Sequence, residues 1–121
     1  MTQPQSQSPP EPPGDSVRGF LPEHEGRQLY EWAHQAAPIG PLLEIGSYCG
    51  KSTIWLGQAA KAHGTVVFAL DHHRGSEEHQ PGESHHDEAL TNTAGQFDSF
   101  GEFRRNIAAA GLEDTVVPIV A

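Results

Sequence analysis

The chain of 121 residues is long enough for one small domain and carries a formal net charge of −9. This acidic balance opposes partners that present phosphate groups, so we expect neither nucleic acid nor an anionic membrane surface as a ligand. The single cysteine excludes an internal disulfide and suits a reducing compartment. No stretch reaches the ~20 apolar residues of a membrane span, and no signal peptide pattern opens the chain. A cytoplasmic location is therefore expected.

Residues 1–19 are rich in proline, glutamine and serine and hold five of the ten prolines. Such a composition offers too little apolar surface to offset the entropy cost of ordering. We expect a disordered tail over residues 1–19 and the folded domain over residues 20–121. The proline-rich run at 9–13 is also compatible with a polyproline II ligand for a recognition module.

The rest of the chain alternates helical and extended patterns. We predict helices over Phe20–Ala37, Gly50–His63 and Phe97–Ala110, and strands over Leu42–Ile45, Thr65–Asp71 and Asp114–Val120. This alternation predicts an α/β fold, with a Rossmann-like parallel sheet flanked by helices. Right-handed crossovers place the strands in the order 3-2-1. Pro118 lacks an N–H for the ladder, which puts the third strand at an edge.

Each predicted helix carries an apolar face for the core. The faces comprise Leu29, Trp32, Ala33, Ala36 and Ala37 in the first helix, Ile54, Trp55, Ala59 and Ala62 in the second, and Phe100, Phe103, Ile107 and Ala110 in the third. Trp55 could also stack on an adenine ring, but its place about one turn inside the helix favours core packing. Gly64 and Gly111 follow the second and third helices and are expected to end them.

The segment between the first strand and the second helix reads EIGSYCGKST, from Glu44 to Thr53. A strand, a glycine turn and a helix N-terminus together form the usual ligand site of an open α/β sheet. A phosphate loop would need its first glycine at position 45, where the chain has Ile, so the loop is one residue short. The dinucleotide pattern G-x-G-x-x-G is absent as well. Cys49 has no histidine near it in sequence, and we expect a small residue that lines the pocket rather than a nucleophile.

The same ten residues resemble motif I of the class I S-adenosylmethionine-dependent methyltransferases, in the branch of small-molecule O-methyltransferases. Tyr48 stands where many class I members have a middle glycine, a replacement that is common in this branch. A second match is Asp71, the acid that ends the second predicted strand. The resemblance implies that Glu44 holds the amino group of the donor, directly or through water, that the turn backbone cradles its methionine end, and that Asp71 binds both ribose hydroxyls. It assigns donor binding to Glu44, Gly46, Ser47, Tyr48, Gly50, Ser52, Asp71 and His72.

The resemblance covers about residues 20–121 and implies methyl transfer from S-adenosylmethionine to a small-molecule acceptor. The complete family fold has further strands, so we expect this chain to be the donor-binding N-terminal part, truncated after the third strand. No catalytic base can be named in it. The first strand would then be an open edge, which invites self-association or pairing with a missing C-terminal half. The alternatives are a non-catalytic donor-binding or assembly fragment and a degenerate phosphate-loop protein.

Residues 71–88 read DHHRGSEEHQPGESHHDE and hold five of the eight histidines. One interpretation is a divalent metal site, but the spacing matches no recognised pattern and no metal ligand is assigned. Its candidates would be His72 with His73, or His85 with His86 and Asp87. A second interpretation places His72 and His73 beside the donor or the substrate, because they directly follow Asp71. The third is a solvated loop over the mouth of the site.

Overall fold

The computed structural model describes residues 9–76 and 88–121. Its elements in chain order are α1 (Glu23–Ala36), β1 (Leu42–Ile45), α2 (Lys51–Ala62), β2 (Val67–Asp71), a short 3-10 turn (Glu88–Leu90), α3 (Phe100–Ala109) and β3 (Val116–Val120). In these residues the sheet has three parallel strands in the order β1-β2-β3. The predicted α/β class, the strand order and the parallel pairing are confirmed.

The helix boundaries differ from the predicted ones by up to three residues. Helix α1 begins at Glu23 because the preceding residue, Pro22, has a ψ of 148°, which lies outside the helical range. Helix α3 begins at Phe100, whose backbone N–H donates to Asp98 Oδ1 over 3.0 Å. Phe97 lies three residues before α3 and forms an isolated bridge with Thr91. Gly64 follows α2 with a φ of +67°, as the predicted helix stop requires.

Helix α2 lies at the centre of the core, and its Trp55 is only 1% exposed. Core packing of Trp55 is thus confirmed. The indole contacts α1 at Gly26, where an added Cβ would lie 2.1 Å from Trp55 Nε1. Helix α1 can approach α2 closely only because this position has no side chain.

The buried face of α1 matches the predicted one only in part, at Ala33 and Ala37. Its buried side consists of Gly26, Tyr30, Ala33 and Ala37, whereas Trp32 is 62% exposed. Trp32 lies two residues from Tyr30, which is about 200° around a helix, so one of the two must face away from α2. Three alanines assigned to the apolar faces, Ala36, Ala62 and Ala110, are also exposed. The side of α1 that carries Gly26 and Ala33 is buried because it packs against Trp55 of α2. The hydrophobicity pattern of α1 alone contains no information on that contact.

Part of the proline-rich segment lies against the domain. Val17 is buried in the core cluster with Ile54, and the backbone N–H and C=O of Glu11 both hydrogen-bond the Gln58 side chain over 2.7 Å. Residues 9–19 therefore differ from the expected disordered tail, because one apolar anchor and a pair of hydrogen bonds hold them on α2. Residues 1–8 lie outside the described residues.

One face of the sheet is apolar and carries no helix among the described residues. The register aligns Leu43, Phe68 and Val117 in one row and Ile45, Leu70 and Ile119 in the next. Leu43 and Ile45 are 64% and 75% exposed, and β1 pairs only with β2 in the described part of the chain. The predicted open edge at β1 is present there. None of the described helices has the length and apolarity to cross a membrane.

Candidate functional site

The turn from β1 to α2 is built from three residues with left-handed backbone. Gly46, Tyr48 and Gly50 have φ values of +88°, +49° and +94°. The Gly46 N–H donates to Leu70 O over 2.8 Å, and the Gly50 N–H donates to Ser47 O over 2.9 Å. The turn is therefore anchored to β2 at its start and closed on itself at its end. Tyr48 adopts a conformation that glycine would take without strain, and it is the position where many proteins of the resembling family have glycine.

Asp71, at the end of β2, holds this turn from the other side. Its Oδ2 accepts the backbone N–H groups of Ser47 and Tyr48, each over 2.8 Å, and its Oδ1 accepts the N–H of His73 over 2.8 Å. A carboxylate offers roughly four acceptor positions, so three are used and one remains at Oδ1. Burial raises the pKa of Asp71, but the three amide donors and the nearby His73 outweigh it, and the net pKa is lowered. Asp71 stays ionised and has capacity for one further donor.

Glu44 is largely buried at the end of β1. Its carboxylate accepts the Ser52 hydroxyl over 2.6 Å and also the Thr53 hydroxyl. Burial raises the pKa of Glu44, the hydroxyl donors lower it in part, and the negative charge of Asp71 raises it further. Ser52 is thereby committed to Glu44, and its hydroxyl supports the site through that carboxylate.

The two glycines of the motif have different surroundings. A Cβ added at Gly46 would meet no described atom within 4 Å, so this side of the turn is open. A Cβ added at Gly50 would lie 3.3 Å from Phe103 and 3.4 Å from Ile107. Gly50 therefore lets α3 pack against the turn, and only Gly46 offers open space for a ligand beside the backbone.

Cys49 does not line a pocket. Its side chain is fully buried in a cluster with Leu90 and Phe97, and its carbonyl accepts Asn106 Nδ2 over 2.9 Å. The expectation of a pocket-lining residue is wrong, because the turn directs this side chain inward while the Tyr48 ring lies 6.4 Å from the Phe97 ring at the edge of the same cluster. A thiol closed off from solvent has no path to a substrate.

The two histidines after Asp71 differ in burial and in hydrogen-bond partners. His72 is exposed; its Nδ1 accepts the Arg74 N–H over 2.9 Å and lies 3.9 Å from Asp71 Oδ1. His73 is buried, and its Nδ1 lies 2.8 Å from Ser99 Oγ. Only His72 is on the solvent side of Asp71. β2 ends at Asp71 and His73 has a left-handed backbone, so the alternation of the strand does not extend to residue 73.

Residues 9–76 and 88–121 contain no group of three or more histidine, cysteine or acidic side chains close enough to share a metal ion. His72 and His73 do not converge. His85, His86 and Asp87 lie outside the described residues. The structure therefore adds no support to a metal site on the loop.

Two comparisons extend this geometry. Residues 43–121 match a family described as "Methyltransferase domain". The crystal structure of cofactor-bound Rv0187 from MTB superimposes with a TM-score of 0.55 and 25% identity, over 84% of this chain and 35% of that one. The chain thus spans about a third of the length of that solved structure.

A parallel α/β sheet with a glycine turn after β1 and an acid at the end of β2 defines a Rossmann-like α/β architecture. With residues 43–121 matched, the chain belongs to the methyltransferase domain family, within the class I S-adenosylmethionine-dependent methyltransferases. The resemblance drawn from the motif is confirmed at this level.

Proposed function

We propose that this chain binds S-adenosylmethionine and serves methyl transfer to a small-molecule acceptor. The observation that supports the proposal best is the preformed turn after β1. Asp71 holds the amides of Ser47 and Tyr48 in place, and the turn is open at Gly46. A site that is already in its binding conformation does not spend binding energy on ordering.

The charges around the turn suit a cationic donor. Glu44 and Asp71 are both carboxylates, and S-adenosylmethionine carries a sulfonium and an α-ammonium group. Asp71 Oδ1 has room for one ribose hydroxyl rather than the two first expected, because Oδ2 is filled by amides. Exposed His72 would lie beside that hydroxyl. Glu44 would act on the amino group through water, since its own oxygens already accept from Ser52 and Thr53.

The remaining assigned residues would support the donor indirectly. Ser47 contributes its N–H to Asp71, Ser52 its hydroxyl to Glu44, and Gly50 its lack of a side chain to the packing of α3. Gly46 has open space beside its backbone, and the Tyr48 side chain is partly exposed on the same turn. The direct contacts proposed for the donor are therefore Gly46, Tyr48, Asp71 and His72.

A phosphate ligand fits this turn poorly. Phosphate loops bind through free backbone N–H groups, whereas those of Ser47 and Tyr48 already donate to Asp71. Lys51 directs its Nζ to Gly19 O over 3.3 Å, and the Glu44 carboxylate lies beneath the helix start. The degenerate phosphate-loop alternative is thus disfavoured, because two N–H groups of the turn and the Lys51 ammonium are already engaged.

When bound, the donor would supply an electrophilic methyl group to an acceptor that lies in line with its sulfur–methyl bond. The protein residues have to bind and orient the donor, and most of the acceleration in such a reaction comes from positioning.

A second candidate function is an assembly module that keeps the donor site. It is favoured by the exposed β1 edge and the apolar sheet face of Leu43, Ile45, Val117 and Ile119. Donor affinity and oligomeric state distinguish the two.

The test is calorimetric titration of the chain with S-adenosylmethionine and, separately, with ATP and magnesium. We expect saturable donor binding that Asp71→Asn abolishes and that the exposed control Asp114→Asn retains. Binding of ATP in preference to the donor would refute the proposal. So would a folded chain, shown by cooperative thermal unfolding, that binds no donor.

A further inference from the structure

His73 is buried between the end of β2, the turn after β1 and the start of α3. Its side chain is 1% exposed and packs between Phe100 and Phe103, each with a ring centroid 5.2 Å away. Its φ is +61°, a left-handed conformation that is uncommon for a residue with a side chain. A strained and buried polar residue next to Asp71 calls for a physical reason.

The backbone of His73 fixes Asp71. The His73 N–H donates to Asp71 Oδ1 over 2.8 Å, on the oxygen that keeps an acceptor position free. The left-handed conformation turns this N–H back toward a side chain only two residues earlier. Because of this contact, the orientation of the carboxylate depends on where His73 is anchored.

The ring of His73 provides that anchor. Nδ1 lies 2.8 Å from Ser99 Oγ, and the Ser99 N–H donates to His73 O over 3.0 Å. The Tyr48 backbone also lies beside the ring and favours its protonated form. Nε2 is buried without a hydrogen bond of ordinary geometry to any described residue. If Ser99 donates its hydroxyl hydrogen to Nδ1, as we assign from these contacts, Nε2 carries the proton of the neutral ring.

The same pair closes the base of the long loop. His73 and Ser99 stand at the two ends of the segment that contains the histidine-rich residues, and they are joined twice. The two ends of the loop are therefore joined to each other at His73, whose backbone N–H donates to Asp71.

We propose that His73 is a positioning residue of the donor site, whose neutral ring, anchored on Ser99, holds Asp71 and the Tyr48 turn in the arrangement that receives the donor. This rests on the proposed function. It assigns His73 a role through Asp71 and Tyr48 instead of contact with the donor or the substrate.

Protonation gives a readout that a passive core residue would lack. Burial lowers the pKa of His73, whereas Asp71 and Asp98 raise it and His72 lowers it; the net pKa is lowered. The ring is thus neutral near pH 7. A protonated Nδ1 would have to donate to Ser99, and the new cation beside Asp71 would compete with a ribose hydroxyl for that carboxylate.

The experiment measures the dissociation constant of S-adenosylmethionine at pH 7.5, 6.5 and 5.5. The variants are His73→Asn, Ser99→Ala and, as an exposed control on α1, His24→Asn. Asparagine tolerates the left-handed conformation and can reach Ser99, but it cannot titrate. We expect wild type and His24→Asn to weaken several-fold toward pH 5.5. We expect Ser99→Ala, which removes the anchor, to bind about tenfold more weakly at pH 7.5, and His73→Asn to lose the pH dependence.

Two outcomes overturn the inference while the proposed function stands. One is a folded His73→Asn that binds the donor with wild-type affinity and a wild-type pH profile. If His73→Asn does not fold, the second variant decides: a folded Ser99→Ala with wild-type affinity for the donor and a wild-type pH profile also overturns the inference. A folded wild type that binds no donor at any pH refutes the proposed function, and the inference falls with it.

Discussion

Asp71 Oδ2 lies 2.8 Å from the backbone nitrogen of Tyr48, so the acid that ends β2 fixes the turn that follows β1. The contact joins the two strand ends that form the proposed donor site. It makes Asp71 both a candidate ligand for ribose and a structural residue, and effects on binding have to be separated from effects on folding.

Replacing Asp71 with Asn should destabilise the fold as well as the site. The amide has one acceptor oxygen for three N–H donors, so we expect a loss of roughly 1–3 kcal/mol in the free energy of unfolding. Urea unfolding at pH 7 measures it. The exposed control Asp114→Asn should stay within about 0.5 kcal/mol of wild type.

The lowered pKa of Asp71 also predicts how the free energy of unfolding changes at acidic pH. Its contribution to stability is present above the unfolded pKa, about 3.9, and is lost as the pH falls through the lower folded value. Asp71→Asn should lack this part of the acid-induced loss. An unchanged slope below pH 4 would show that the three amide contacts do not persist in solution.

Glu44 should behave in the opposite sense. Burial raises its pKa in the folded state, so ionisation costs stability as the pH rises from the unfolded value of about 4.3 through the folded one. Glu44→Gln should therefore unfold at the same or a higher temperature than wild type at pH 7, with the difference shrinking toward pH 4. Its donor affinity should fall, because the negative charge near the amino group is gone.

Calorimetric unfolding and donor titration of Glu44→Gln give both readouts on one sample. A clear drop in the unfolding temperature at pH 7 would mean that the Ser52 and Thr53 hydroxyls stabilise the ionised carboxylate by more than burial costs it.

Gly26→Ala should destabilise the protein, although alanine normally strengthens a helix by about 1 kcal/mol over glycine. The new Cβ would lie 2.1 Å from Trp55 Nε1, so α1 must move or the indole must leave its place. Overpacking of this kind costs roughly 1–3 kcal/mol. Thermal unfolding and the fluorescence of Trp55 report on it. Gly40→Ala is the matched control, because a Cβ there meets nothing within 4 Å; equal stability of the two variants would contradict the close packing of α1 on α2.

The apolar face of the sheet should drive self-association. Sedimentation velocity over a concentration series should show species larger than a monomer, and added salt should favour them by screening the net charge of −9. The double variant Leu43→Lys with Ile45→Lys should be monomeric, since charge on an open edge opposes pairing. Ile39→Lys, exposed in the link before β1, is the control and should behave like wild type. A wild-type chain that sediments as a monomer throughout would remove the basis for an assembly role.

Local pattern was enough for the architecture. The alternation of helices and strands, the glycine turn and the two strand-terminal acids all depend on neighbours within about ten residues, and right-handed crossover then leaves one strand order. The same range explains why Pro118 could be placed at an edge and Gly64 at a helix end. The family resemblance needed only Glu44 to Thr53 and Asp71.

Contacts between distant segments decided the roles inside the site. Trp32 and Tyr30 are both apolar aromatic residues on α1, and only Trp55 of α2 determines which of them is buried. Gly46 and Gly50 look equivalent in the motif, yet Phe103 and Ile107 of α3 turn Gly50 into a packing position. His72 and His73 look equivalent too, and Ser99, far along the chain, draws one of them into the core. Burial and side-chain hydrogen bonds arise from residues that meet only after folding, and for that reason the tertiary structure alone determined them.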